Sequence, residues 1–115
     1  MESVTEKFLR YVKVDTQSSE EAMQFPSTEK QKDLGRMLYE ELEKMGASDV
    51  FFDEKYGYVY AKIPATCEEQ DKKVLGFISH MDTSPETSGA GVNPRIVKDY
   101  DGAVSYTHLR APETK

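Results

Sequence analysis

At 115 residues the chain is long enough for one domain with a modest core, or for a piece of a larger domain. With 37% hydrophobic and 31% charged residues it is too apolar for wholesale disorder, and a net charge of -6 with no basic stripe excludes non-specific nucleic-acid binding, which needs lysine and arginine against phosphates. The single cysteine, Cys67, excludes an internal disulfide framework and favours a reducing compartment, and no apolar run approaches the length of a membrane-spanning helix.

The N-terminal stretch MESVTEKFLRYV carries charges where a signal peptide needs an apolar core, so the sequence reads as cytoplasmic and without a membrane partner. Val4, Phe8, Tyr11 and Val12 recur on one helical face and predict an amphipathic helix over about Ser3 to Val14, its stripe facing a core. The polar run Asp15-Thr16-Gln17-Ser18-Ser19 offers side chains that compete for backbone hydrogen bonds and ends that helix. A loop then runs to Pro26.

Thr28, with Gln31 three residues on, has the spacing of a capping box and predicts the start of a second helix. Leu34, Met37, Leu38, Leu42 and Met45 form its apolar stripe, expected to pack on a sheet, and Gly46 is a natural C-terminal cap. Val50 to Phe52 and Tyr58 to Ile63 are β-branched and aromatic runs joined by Asp53 to Gly57, the pattern of two strands and a turn. Tyr58 and Tyr60 share one face there, which reads as sheet packing rather than a stacking platform for substrate. Cys67 lies in the charged loop from Ala65 to Lys72 with no cation adjoining it, and is given no role.

The apolar run Val74-Leu75-Gly76-Phe77-Ile78 predicts a central strand buried on both faces, ending at His80 and Asp82. Alternate residues of an extended chain share a face, so the imidazole and the carboxylate can be aimed at one point beyond the sheet edge. Neutral histidine is a common metal ligand, and a neighbouring carboxylate fixes its tautomer and raises its basicity. H-x-D alone is also met as a surface histidine beside a turn aspartate. Beyond it, Pro85, Gly89, Gly91 and Pro94 punctuate a loop expected to lie over the mouth of such a site.

The stretch GFISHMDTSPETSGAGVNPRIVKDYDG, with FLRYVKVDTQS, PSTEKQ, LEKMGASDV and GYVYAKIPA before it in the same order, resembles the zinc-dependent di-metal exopeptidases, and within them the tripeptide aminopeptidases. The family also contains amino-acid deacylases and carboxypeptidases. The resemblance covers about residues 1–102 and implies an α/β fold: the N-terminal part of a catalytic domain, incomplete, with two helices on a mixed sheet in the order helix, helix, strand, strand, strand. It implies His80 as a ligand to one of two zinc ions, Asp82 as the catalytic-site carboxylate that holds its imidazole, and a tripeptide as substrate. In that family the metals lower the pKa of a bridging water and polarise the scissile carbonyl, while a glutamate acts as general base. That glutamate and the remaining ligands belong to family segments downstream of Gly102. The chain by itself is therefore expected to be inactive.

Glu20-Glu21 and Glu68-Glu69 precede the histidine strand, whereas the family's paired glutamates follow it, so both pairs read as solvated loop residues. From Ala103 the run AVSYTHLRAPETK departs from the resemblance and reads as a non-native tail over 103–115, so His108 is not taken as a ligand. A related deacylase or carboxypeptidase, or a non-catalytic binding or structural module that keeps the strand without the chemistry, stands as the alternative.

Overall fold

The computed structural model describes residues 1–102; the tail and His108 lie outside the described residues. The first helix, α1 (Val4–Tyr11), begins at Ser3, whose hydroxyl accepts from the Glu6 amide at 3.2 Å while the Glu6 carboxylate accepts from the Ser3 amide at 2.7 Å. This reciprocal cap satisfies two donors that a helix N-terminus otherwise leaves open. The helix is shorter than its apolar pattern predicts. Its last turn tightens, with Lys13 and Val14 donating three residues back, to Arg10 and Tyr11, before the polar run begins.

The second helix, α2 (Gln31–Lys44), is entered through a tight turn in which the amides of Gln31, Lys32 and Asp33 each bond three residues back. Thr28 and Gln31 do meet, but side chain to side chain at 3.0 Å; the N-cap position is Lys30 and carries no side-chain cap. The far end is as expected. Gly46 takes φ +81°, which lets its amide bond Glu43 O and the Ala47 amide bond Leu42 O, closing the helix with two of its last carbonyls satisfied.

A hairpin follows. β1 (Ser48–Phe52) and β2 (Val59–Lys62) pair antiparallel, Phe51 opposite Tyr60 and Phe52 opposite Val59, with a register shift between Ser48 and Phe51. Asp53 shapes the turn: its Oδ1 accepts from the Lys55 and Tyr56 amides at 2.9 and 3.0 Å, and its own amide donates to Tyr58 O at 2.8 Å. The hairpin packs on α2 at Gly35, where an added Cβ would lie 2.7 Å from the Phe52 ring and 3.3 Å from Gly57 O.

The expected third strand is not formed. Val74, Leu75, Phe77 and Ile78 have no ladder partner among the described residues and are 79 to 101% exposed, the reverse of burial on both faces. Helices and a hairpin find their hydrogen-bond partners within a few residues, whereas a central strand needs neighbours on both edges. Among the described residues the sheet therefore has two strands, and the fold is two helices with one antiparallel hairpin.

Without a full sheet the two apolar stripes lack a common surface. The α1 stripe is not core: Val4 and Phe8 are exposed, and Phe8, Tyr11 and Val12 look instead onto a cavity of about 1250 Å³. Leu34, Leu38 and Leu42 of α2 line the same space, with β2 and residues 77–81 as further walls. Among the described residues Leu34 is the one large apolar side chain that is buried.

Charge holds α1 to α2. Glu41 takes hydrogen bonds from Tyr11 Oη at 2.5 Å and Arg10 Nη2 at 2.7 Å, and pairs with Lys7 Nζ at 3.0 Å; Arg10 also binds Glu2 at 2.6 Å. Burial opposes ionisation of Glu41, but these donors outweigh it and hold the carboxyl at about 2. Burial, with the neighbouring Glu41 charge, pushes the Tyr11 hydroxyl up to about 12.

Two predictions follow from this packing. Gly35→Ala is expected to destabilise the chain by about 1–2 kcal/mol despite alanine's better helix propensity, because the Phe52 ring must move, as a urea titration would read. For Glu41 the unfolded chain binds the proton first on acidification, so its contribution is complete above pH 4.5 and lost as pH falls towards about 2. Thermal melts across that window should show the acid loss in the wild type and a much flatter profile in Glu41→Gln.

Candidate metal centre

The segment after the unpaired apolar run is tied down at Thr83. Its amide donates to Thr16 O at 3.1 Å and its carbonyl accepts from the Ser18 amide at 3.0 Å, a parallel bridge that lays residues 16–18 beside it. Ser18 Oγ donates to the same carbonyl at 2.8 Å, and Gln17 Nε2 reaches Pro85 O at 2.9 Å. Thr16 is buried, 2% exposed, under this crossing. Residues 15–19 are in turn fixed to the entry of α2: Thr28 Oγ1 donates to Gln17 O at 2.7 Å, and Lys30 pairs with Asp15 at 2.9 Å. Hydrogen bonds from Lys30 and the Gln17 amide hold the Asp15 carboxyl below its ordinary range.

Immediately before this anchor stand the two expected site residues, and the structure brings them together. His80 Nδ1 lies 3.1 Å from Asp82 Oδ1 and 2.9 Å from Asp82 O. Both partners can only accept, so Nδ1 carries the hydrogen and the lone pair sits on Nε2, the tautomer suited to binding a metal through Nε2. The imidazole is 83% exposed at the rim of the large cavity, and Asp82 is half-exposed.

The donor set stops there. Among the described residues no three histidine, cysteine or acidic side chains gather in a group able to hold a metal. Glu20, Glu21, Glu68 and Glu69 are all exposed, as solvated loop residues should be, and Cys67 is an exposed thiol in its loop. One imidazole with its orienting carboxylate does not make a closed zinc site, which takes about three to four protein ligands.

The loop beyond the anchor is packed down at Gly89, which is buried against Asp15; an added Cβ would lie 2.6 Å from Asp15 Oδ1 and 3.4 Å from the Gln17 amide. Tyr60 reaches the cavity from β2 and Tyr58 from just before it, edge to face at 6.3 Å, and Tyr60 stacks on Phe51 across the strands at 6.1 Å. They are half-exposed, so cross-strand packing accounts for only part of their surface.

The crossing at residues 16–18 was not foreseeable from the polar run that contains them, since that run reads equally well as a helix terminator. The one available signal is Asp15 followed by hydroxyl and amide side chains, which is compatible with any tight loop.

Comparison with known proteins shows what the chain is similar to. No family model matches the chain. Several similar curated proteins are peptidases, each named peptidase T. The chain is 56% identical over 102 residues to peptidase T of Clostridium acetobutylicum, 52% over 102 residues to that of Clostridium perfringens, and 52% over 104 residues to that of Clostridium botulinum. Each match takes in 89% of this chain but only 24 to 25% of the relative. The chain is thus similar to a segment of peptidase T, and spans about a quarter of the length of these proteins. None of the described helices is long and apolar enough to cross a membrane.

The close approach at Gly89 supplies a test of the anchor. Gly89→Ala should displace the Asp15 carboxylate from Lys30, and hydrogen exchange at the Thr83 and Ser18 amides should speed up roughly fivefold to tenfold. Exchange within α2 should change little. Unaltered protection at Thr83 would separate the anchor from the Asp15 contact.

Proposed function

We propose that this chain is the histidine-bearing segment of a cytoplasmic, zinc-dependent aminopeptidase that releases the N-terminal residue from tripeptides. Its support is the 51 to 56% identity to peptidase T, together with a His80–Asp82 pair already set in a metal-binding tautomer. In this reading His80 offers Nε2 to one of two zinc ions. Asp82 is a positioning residue: its carboxylate and carbonyl fix Nδ1, and with it the direction of the opposite lone pair. The remaining ligands and the general base come from the part of the longer enzyme that this segment does not span. By itself the segment is inactive.

Calorimetric titration of the 115-residue chain with zinc is expected to show no saturable site at roughly 100 µM metal, because one imidazole cannot replace the ion's lost waters. In a longer enzyme carrying this segment, His80→Ala should abolish tripeptide hydrolysis and lower zinc content. Asp82→Ala should weaken metal affinity or activity by roughly 10- to 100-fold. Full activity of the His80→Ala enzyme, or tight stoichiometric zinc binding by the isolated segment, would overturn the reading. Cleavage of N-acyl amino acids with none of tripeptides would move the assignment to the deacylases.

A further inference from the structure

The peptide unit between Asp82 and Thr83 is held from both sides. Its amide hydrogen goes to Thr16 O at 3.1 Å, and its carbonyl oxygen, Asp82 O, lies 2.9 Å from His80 Nδ1. A trans peptide is planar, with N–H and C=O pointing in opposite directions, so fixing one of them fixes the other. The main-chain bond to Thr16 therefore sets where the acceptor for the imidazole stands.

Thr16 and Ser18, the two residues that bond Thr83, flank Gln17, and the amide of Gln17 is held by a single side chain, that of Asp15. Asp15 Oδ1 accepts from the Gln17 amide at 3.1 Å and Oδ2 pairs with Lys30 at 2.9 Å. Gly89 closes on the same carboxylate, so that an added Cβ would lie 2.6 Å from Oδ1. Nothing local accounts for Lys30: it stands at the N-cap of α2, the positive end of the helix dipole, and its side chain caps nothing. As a half-exposed ion pair, its contact with Asp15 adds little stability. What the pair supplies is direction, since it holds the Asp15 carboxylate towards Gln17.

We propose that Asp15 is a positioning residue for His80: by holding residues 16–18 against Thr83 it fixes Asp82 O, and so keeps the imidazole hydrogen on Nδ1. The consequence for a metal rests on the reading of His80 as a ligand. An imidazole free in water mostly carries its hydrogen on Nε2, and only the other tautomer offers the Nε2 lone pair. Apparent affinity falls in proportion to the population of the competent form. Residues 74–78 bear on where the ring points, and Asp15 on which nitrogen is free.

The test reads the tautomer directly. In the 115-residue chain, isotopically labelled on nitrogen and held at about pH 8, where an ordinary imidazole is neutral, the ring nitrogen shifts report which atom carries the hydrogen. His80→Ala identifies the His80 signals. The wild type should carry the hydrogen mainly on Nδ1, and Asp15→Ala should lower that population roughly threefold. Gly89→Ala, which pushes on the same carboxylate from its other side, should lower it too, with helical circular dichroism retained in both variants. Asp15→Asn keeps an acceptor for the Gln17 amide and should restore most of the wild-type population, which a mere loss of stability would not explain. In a longer enzyme carrying this segment, Asp15→Ala should weaken zinc binding, read by chelator competition, by the same factor of roughly threefold. A wild-type hydrogen on Nε2, a tautomer indifferent to Asp15→Ala and Gly89→Ala, or an Asp15→Asn chain no better than Asp15→Ala would overturn the proposal. So would zinc affinity that does not follow the tautomer. A His80→Ala enzyme that keeps its zinc would overturn the ligand reading instead, and leave the tautomer result in place.

Discussion

Two main-chain hydrogen bonds at one residue, Thr83, join the half of the chain that carries His80 and Asp82 to the half that carries the helices. Nothing upstream does so, since residues 63–78 make no sheet and their apolar side chains stand in solvent. The bridge is short, but its partners are held on both sides. Thr16 is buried beneath it, Gln17 O is fixed by Thr28, and Asp15 is paired to Lys30 at the entry of α2. A polar clasp thus does at this point what a continuous sheet would do over five or six residues.

Polar contacts carry more of this structure than is usual for its composition. Leu34 is the one large apolar side chain buried among the described residues, so the hydrophobic term that normally dominates folding is only partly realised. The contact between α1 and α2 rests instead on a half-buried carboxylate with three donors, and that between α2 and the hairpin on a close approach at Gly35. Lys32 shows how a charged residue serves here: its stem runs beneath Gly57 while its ammonium reaches Glu29 at 2.9 Å. Such contacts are geometrically exacting, and they leave the apolar stripes of both helices free to face one cavity.

What was legible in the sequence divides along the range of the interactions involved. Both helices, the Gly46 stop, the hairpin and its Asp53 to Gly57 turn are encoded by residues within about a turn or a strand of one another, and each is present, though α1 is shorter than its apolar pattern and α2 begins after Thr28. Apart from the Thr28 cap and the length of α1, the misreadings are long-range. An apolar run such as Val74 to Ile78 states that a strand must be covered, but supplies neither the neighbours nor the layer that would cover it. The same is true of Val4 and Phe8, whose helical spacing marks a face without marking what that face meets. Gln17 and Thr83 are 66 positions apart, and no local chemistry at either announces the other.

The candidate site obeys the same division, which bears on what the His80–Asp82 geometry is worth. Two residues apart, imidazole and carboxylate meet at 3.1 Å although the strand meant to present them is unpaired. Their contact therefore belongs to the local chain and the Thr83 anchor, not to a completed sheet. It sets the tautomer, because both groups on Nδ1 are acceptors, and so makes Nε2 the nitrogen left to bind. Direction is a different matter. Where Nε2 points is fixed only when residues 74–78 are held in place, and a metal site needs several ligand directions to converge on one point. The Nδ1 contact of His80 is thus a short-range property of this segment, and the direction of Nε2 is a long-range one that depends on what covers residues 74–78.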